Sequence, residues 1–429
     1  MTTTSRITWA AASARRAERQ FLAWPAEPAG TTGSGTPVAE VVGAMMGAHA
    51  QVLSAAEVSV GVRTSALTRT DVRAALWDER SLIKTYGPRG TVHLLPAREL
   101  PLWSAALTAI PTGPSPFPPD VRLTEEQSAQ IVAAIGEALQ DTCLTLDELT
   151  EEIVARTGPW AGDRVMPAFQ DMWPRWRQVL HRAGWAGTLC FGPNRGRKAT
   201  YTRPPVVGAA GGVTAGAVGA VGELGTVREL GTGGELGTGG KLGTGGASGT
   251  AGALGTFVRR YLRAYGPATP QHFAKWLAAP TGWADSVFRD LAAAGGIEEV
   301  DFEGTRAWVA AGDSEFPDGP PRGVRLLPYF DAYVIATQPR ERLFPDTAYE
   351  RALAGGQAGN YPVLLVDGVV AGVWHQRRQG RRTTVTVEPL VRLTPRQERE
   401  LGEQVERVGE VLEARAELVV GEVKVGPHA

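Results

Sequence analysis

Between about Val207 and Thr256 the chain runs through Glu223-Leu224-Gly225-Thr226, Glu229-Leu230-Gly231-Thr232, Glu235-Leu236-Gly237-Thr238 and Lys241-Leu242-Gly243-Thr244, a six-residue repeat. With one Leu per repeat and little else that is bulky, the stretch has too little apolar surface to offset the entropy of ordering its backbone. A flexible linker is expected at residues 207–256, grown by repeat expansion in a loop. A short-period β-solenoid would need a better core than one Leu per turn. The remainder of the 429 residues must therefore organise on either side of a break.

That length allows roughly three or four ordinary domains. An apolar content of 43% with 21% charged residues is that of a globular protein, so a sizeable core is available. The 44 basic and 45 acidic residues nearly cancel, which excludes a globally basic nucleic-acid binder and leaves only local charge density to read. The basic residues are almost all Arg, with Lys only at 84, 198, 241, 275 and 424. Arg suits bidentate phosphate contacts, although a GC-rich coding sequence gives the same skew. Cys143 and Cys190 are too few and too far apart for a disulfide framework or a zinc site, and the six histidines lack ligand spacing. No metal or other cofactor is implied. No apolar run reaches the ~20 residues that span a bilayer, so no membrane role and a cytoplasmic location are expected. Residues 1–22 read as an amphipathic helix using Arg15, Arg16 and Arg19 rather than as a transit peptide.

Ahead of the repeat, Val41, Val42, Met45 and Met46, then Val52, Val58, Val60 and Val62, recur at helical spacing. Inside that run, Gly47-Ala48-His49-Ala50-Gln51 sets two polar side chains two positions apart. Thr70 reads as the cap of a helix over 71–78, followed by strands at 82–86 and 91–95 joined by Gly87-Pro88-Arg89-Gly90. Helices followed by a hairpin is the winged-helix order. The order recurs: a helix from Thr124 to Leu139, a second opened by the Thr145/Glu148 capping box, a third over 166–184, then a basic loop at 192–198 in the wing position. Beyond the repeat, helices at 257–265, 269–277 and 285–294 precede strands at 297–302 and 306–309. From Val324 the pattern turns to strands at 324–327, 333–336, 363–366, 369–374 and 383–387, then a helix at 395–414 and a strand at 417–420. The expected fold is α+β: three tandem winged-helix units followed by a small β-barrel-like domain. The boundaries are 1–112 (N-terminal helix and first unit), 113–206, the linker 207–256, 257–320, and 321–429.

Several of these segments together resemble the AlkZ-type (YcaQ-like) winged-helix DNA glycosylases. They are Gly47 to Gln51, Ala55-Ala56-Glu57, residues 84–95, Pro101-Leu102-Trp103, Leu326-Leu327-Pro328-Tyr329-Phe330-Asp331-Ala332-Tyr333 and Gly372-Val373-Trp374-His375. The resemblance spans about 7 to 420 apart from the repeat. It implies three winged helices plus a barrel domain, and a catalytic pair of polar residues flanking one apolar residue, commonly Gln-x-Gln. Here the signature reads His49-Ala50-Gln51; Gln51 matches and His49 departs, which bears on substrate range more than on reaction type.

Cleaving an N-glycosidic bond passes through an oxocarbenium-like sugar that water attacks at the anomeric carbon. A purine alkylated on a ring nitrogen is already cationic and leaves without a general acid. A neutral imidazole at His49 can serve as base, a role typically worth about 10²–10⁴-fold, while Gln51 aligns water or the sugar oxygen. Glu57 is the nearest acid, a candidate support for His49 or simply a solvated helix face. Lys84 is the one nearby lysine, but water as nucleophile without a Schiff base is expected. For DNA contact, Arg89 in the first wing turn is a phosphate candidate, and His93 behind it is read as packing. The run His375, Arg377, Arg378, Arg381 and Arg382 around Gly380 suits a groove-entering hairpin. Arg195, Arg197 and Lys198 form a weaker patch, and Arg259, Arg260 and Arg263 share a helix turn. The expected partner is double-stranded DNA carrying alkylated bases, bound by a monomer. The alternative is a non-enzymatic winged-helix regulator, for which three units plus a barrel, with no evident dimer helix, is an uneconomical design.

Overall fold

The structure is a computed structural model describing residues 6–28, 36–113, 115, 117–167, 171–205, 247–353 and 356–426. The repeats up to residue 246 lie outside the described residues.

The N-terminal segment belongs with the far end of the chain rather than with the first unit. Strand β1 (Arg6–Ile7) pairs in parallel with Asp301 and Phe302. Helix α1 (Trp9–Arg19) is capped by the Thr8 hydroxyl, which accepts from Ala11 N. Arg16 is buried and donates to the carbonyls of Gly266, Pro267 and Gln338. Arg15 donates to those of Asp313 and Glu315. The arginines of this helix are therefore turned largely inward, where backbone acceptors replace water.

Next come α2 (Val38–Ala44), β2 (Ala48–His49), α3 (Leu53–Gly61), α4 (Arg69–Trp77), β3 (Leu82–Tyr86), β4 (Val92–Pro96) and α5 (Leu100–Thr108). The expected helix through His49 is broken. Gly47 adopts φ 89°, and the following two residues enter a sheet. The cap of α4 is Thr68, in a capping box with Asp71, two residues before the expected Thr70.

The following group holds α6 (Glu125–Ala138), β5 (Cys143–Thr145), α7 (Leu146–Thr157), β6 (Arg164–Pro167), β7 (Met172–Pro174), α8 (Leu180–Trp185), β8 (Cys190–Arg195) and β9 (Lys198–Thr202). The expected Thr145/Glu148 capping box forms, and the expected cap at Thr124 is also a capping box, with Gln127. The helix expected over 166–184 does not form. Pro167 and Pro174 disfavour helical backbone before them, and the segment is a hairpin, a 3₁₀ turn (Arg175–Val179) and short α8. One six-stranded sheet, in the order β2-β4-β3-β8-β9-β5, joins this group to the previous one, with Lys84 opposite Phe191 at the seam.

Beyond the repeat lie α9 (Ala247–Tyr265), α10 (Pro270–Leu277), α11 (Thr281–Ala293), β10 (Ile297–Phe302) and β11 (Thr305–Ala310). Helix α9 begins ten residues inside the expected linker, because Gly, Ala and Thr there extend a helix anchored by buried Phe257, Tyr261 and Tyr265. These rings and Phe273, Trp276 and Phe288 pack with Trp103 of α5 in one core.

The last group holds β12 (Val324–Leu327), α12 (Ala332–Ala336), α13 (Arg340–Leu343), α14 (Thr347–Ala352), β13 (Val363–Val366), β14 (Val369–Gln379), β15 (Arg382–Pro389), α15 (Pro395–Val411) and β16 (Arg415–Val420). Strands β12 to β15 form an antiparallel meander, and β16 returns parallel to β15. The sheet is a half-barrel with β12 and β16 as edges. The expected strand at 333–336 is instead α12, whose start is fixed by Asp331 accepting from Tyr333 N. Asp331 also forms a bidentate pair with Arg63 (2.7 and 2.8 Å) and accepts from Ser59 (2.6 Å), all buried. This ties the last group to α3.

Candidate active site

Antiparallel pairing sets Ala48 opposite Leu94 and His49 opposite His93. Alternation along a strand then decides which way each side chain faces. Ala48 and Ala50 enter the core with Val42, Val60 and Leu94. His49 lies on the other face with His93 and, one strand further, Thr85. Ala50 N donates to Val92 O at 2.7 Å, carrying the extended run one residue beyond β2, and Gln51 follows as an exposed residue. Gly87 makes room for His93, and Gly47 for the neighbouring Leu95. A Cβ on Gly87 would stand 2.7 Å from His93 Nδ1, and one on Gly47 would meet Leu95 at 2.9 Å and His93 at 3.6 Å.

His49 is 9% exposed. Its ring meets His93 edge-on with centroids 5.2 Å apart and lies 4.5 Å from the Phe330 ring. Phe330 comes from the loop after β12. It holds φ 56°, donates its N–H to Gly359 O, and precedes the Asp331 clamp. Burial, and secondarily the charge of Arg89, bring the His49 pKa down to about 4. His93 is pushed well below the ordinary value by burial, then by His49 and Arg89. Both imidazoles are thus neutral at neutral pH. His93 Nδ1 lies 2.9 Å from Thr91 O, an acceptor only, so that nitrogen carries the proton. His49 Nδ1 has no protein partner.

Glu57 is not placed to support His49. It is fully buried and held by Arg73 at 2.6 Å and Arg69 at 3.5 Å, because its side of α3 faces α4. Lys84 sits opposite Leu94, on the face away from His49, over the Phe191 ring at 5.0 Å; burial lowers its pKa. Arg89, in the left-handed region at φ 60°, turns inward and donates to Trp276 O at 2.6 Å. Arg195 and Lys198 pair with Glu148 and Asp147 of α7, which neutralises two of the three cations in that patch and leaves the exposed Arg197. Arg260 pairs with Glu99, and Arg259 donates to Thr256.

The hairpin of β14 and β15 is different. Arg377, Arg378, Arg381 and Arg382 are all exposed at its tip, and Arg415, the partner of Arg382 on β16, adds a fifth cation that the sequence reading missed. His375, lower on β14, is half-buried, and burial depresses its pKa. The reading also missed Phe330 as the wall over His49; only the strand pairing and the Asp331 clamp bring it there. A cleft of about 1040 Å³ lies between α5, α6 and α8 and is bordered by Arg89 and His181 but not by His49 or Gln51. Among the described residues no cluster of His, Cys, Asp and Glu could hold a metal, and no helix is long and apolar enough to cross a membrane.

Three comparisons bear on this geometry. The family model described as DNA glycosylase AlkZ-like matches residues 42–411. An interstrand DNA cross-link repair glycosylase of Streptomyces sahachiroi is 29% identical over 375 residues, covering 86% of this chain and 88% of the relative. The solved structure of the Streptomyces sahachiroi DNA glycosylase AlkZ superposes with a TM-score of 0.71 at 27% identity, covering 96% of this chain and all of that one.

Proposed function

Since the chain belongs to the AlkZ-like family of DNA glycosylases, we propose that it hydrolyses the N-glycosidic bond of alkylated purines in double-stranded DNA, with His49 and Gln51 directing water to the anomeric carbon. The observation that supports this reading is the strand register: Ala48 and Ala50 enter the core and His49 lies on the opposite face, with Gln51 following as an exposed residue at the end of the run. Family membership replaces the alternative of a non-enzymatic regulator, since the chain is an enzyme of the glycosylase class.

The chemistry follows from the leaving group. A purine alkylated at N7 or N3 carries positive charge, so the C–N electron pair departs with it and neutralises the base. Water then bonds to the oxocarbenium carbon and becomes acidic as it does so. A weak base suffices at that stage, and a buried imidazole near pKa 4 remains unprotonated and ready. Gln51 can accept from the water through its carbonyl while its amide donates elsewhere. No lysine adduct is involved, which agrees with Lys84 facing the other side of the sheet.

The relative is named for interstrand cross-link repair; for this chain we read bulky alkyl purines, cross-linked ones included, as the substrate class. The arginine-tipped hairpin is read as entering a groove and contacting phosphates, with Arg197 as an outlying contact. We further read the three helix-and-hairpin groups as winged-helix units ahead of the half-barrel, and the protein as a monomer working on chromosomal DNA in the cytoplasm.

The test is to incubate the protein with duplex DNA bearing an N7-alkylguanine and to chromatograph the free base, alongside His49→Ala and Gln51→Ala. Release by the wild type that both variants lose supports the assignment. Retained DNA binding with no release for several adduct sizes would sink it.

A further inference from the structure

Two guanidinium groups from distant parts of the chain lie within reach of each other's charge, and one of them, Arg89, also acts on His49; among the described residues neither pairs with a carboxylate. Arg89 comes from the turn between β3 and β4, and Arg340 opens α13 in the last group. Helix α10 packs against both the Arg89 turn and α12, which immediately precedes α13. Arg89 spends one nitrogen on Trp276 O, and Arg340 spends Nη2 on Ile335 O at 2.7 Å. Arg340 Nε and Nη1 are buried with no hydrogen-bond partner. The charge of Arg89 is felt at His49, His93 and Arg340 alike. Burial lowers the pKa of both arginines, Arg340 to about 10, so both stay cationic at neutral pH. No acidic residue acts on either; the groups that raise them are the phenols Tyr265 and Tyr349.

Two half-desolvated cations of like sign are costly without an anion between them. Arg89, whose charge reaches His49, would also oppose the positive charge that develops on the sugar. A bound anion resolves both difficulties. The free donors of a guanidinium fork match the two non-bridging oxygens of a phosphodiester. We propose that Arg89 and Arg340 form a two-armed site that grips a phosphodiester of the DNA strand at the nucleotide presented to His49. Arg89 holds its left-handed backbone between Pro88 and Gly90 so that its side chain reaches inward rather than out along the wing; such backbone positions cluster at ligand clamps. The site rests on the reading of His49 and Gln51 as the reacting centre, and it adds what fixes the strand there. The hairpin arginines on β14 and β15 are exposed and contact the duplex from outside; the Arg89–Arg340 pair is set inside the fold.

The experiment measures binding to an undamaged duplex and to one carrying N7-alkylguanine, across a chloride series. Removing one phosphate contact lowers the slope of log K against log salt by about 0.9. Arg340→Gln should show that loss and bind roughly ten-fold more weakly near 0.15 M salt, whereas Arg340→Lys should keep the wild-type slope. A scan placing a single neutral methylphosphonate at each linkage around the lesion keeps the test independent of how the variants fold. In the wild type, one or two linkages should weaken binding about ten-fold, and in Arg340→Gln the same substitutions should cost clearly less, because only the Arg89 contact is left to lose. An unchanged slope, or methylphosphonate penalties identical in wild type and variant at every linkage, would overturn the proposal. Base release is scored separately. Release with an unchanged slope faults the arginine site alone, and the slope change without any release faults only the roles given to His49 and Gln51.

Discussion

The pH dependence of base release offers the sharpest check on His49, because burial and Arg89 move its titration far from where an exposed histidine would titrate. An ordinary imidazole has a pKa of 6.5; here it is about 4. If the neutral ring is the working form, the rate scales with its unprotonated fraction. At pH 5.5 a pKa of 6.5 leaves about one tenth of the ring neutral, whereas a pKa near 4 leaves almost all of it neutral. The two cases differ by about ten-fold at a pH where the assay is practical. Single-turnover release of N7-alkylguanine, corrected for spontaneous depurination, should therefore be flat from pH 8 to about 5 and fall only as pH approaches 4. His49→Gln should remove the acid limb altogether, since a carboxamide does not titrate there. A wild-type limb centred near 6.5 would show that His49 is solvated when it acts. A limb near 4 that persists in His49→Gln would assign it to another group. The stability sign runs the same way: a histidine held neutral in the fold contributes stability that is complete above about pH 6.5 and is lost as pH falls toward 4.

Asp331→Ala strands the fully buried Arg63 and should cost about 3–5 kcal/mol in chemical unfolding, with base release falling as Phe330 loses its anchor; a loss under about 1 kcal/mol would show that the clamp is idle. Gly87→Ala drives a methyl group to 2.7 Å from His93 Nδ1 and should destabilise by about 1–3 kcal/mol while lowering base release. By contrast, Gly402→Ala, inside α15 with open space around the new methyl, should be neutral or stabilising by up to about 1 kcal/mol. Equal effects from the two glycine changes would refute the packing account of His93.

Much of the secondary structure could be read from local chemistry. The cap at Thr124 and the capping box at Thr145 form as expected because a cap needs only its own four residues. The strands Leu82–Tyr86, Ile297–Phe302, Val324–Leu327 and Val363–Val366 match because β-branched runs between turn residues are local signals. The failures occur where a distant partner decides. The 333–336 segment has the composition of a strand, yet Asp331, held by Arg63 from α3, starts a helix there. Residues 166–184 have apolar spacing that suits a helix, but Pro167 and Pro174 divide them into a hairpin and a turn.

The site shows the same division at finer scale. Polar–apolar–polar at 49–51 is a period-two pattern, which belongs to strands. It was hidden inside apolar neighbours at helical spacing, and only the pairing with β4 resolves it. His49 and Gln51 could be singled out from their types and spacing, but not the character of the imidazole. That character comes from His93 across the ladder, Phe330 from beyond the repeat, and the charge of Arg89 fixed by Trp276. His93 and Arg89 belong to the group of His49 itself, but Phe330 and Trp276 come from two others, so a neutral, weakly basic His49 exists only once those groups have docked. The residues that looked functional on local grounds, Glu57, Arg195 and Lys198, were each claimed by a neighbour of opposite charge. The uncompensated cations, Arg340 inside and the hairpin arginines outside, are the ones proposed to contact DNA. On that proposal, charge left unpaired after folding guides the search for a nucleic-acid surface better than charge density in the sequence, where acids and bases nearly cancel.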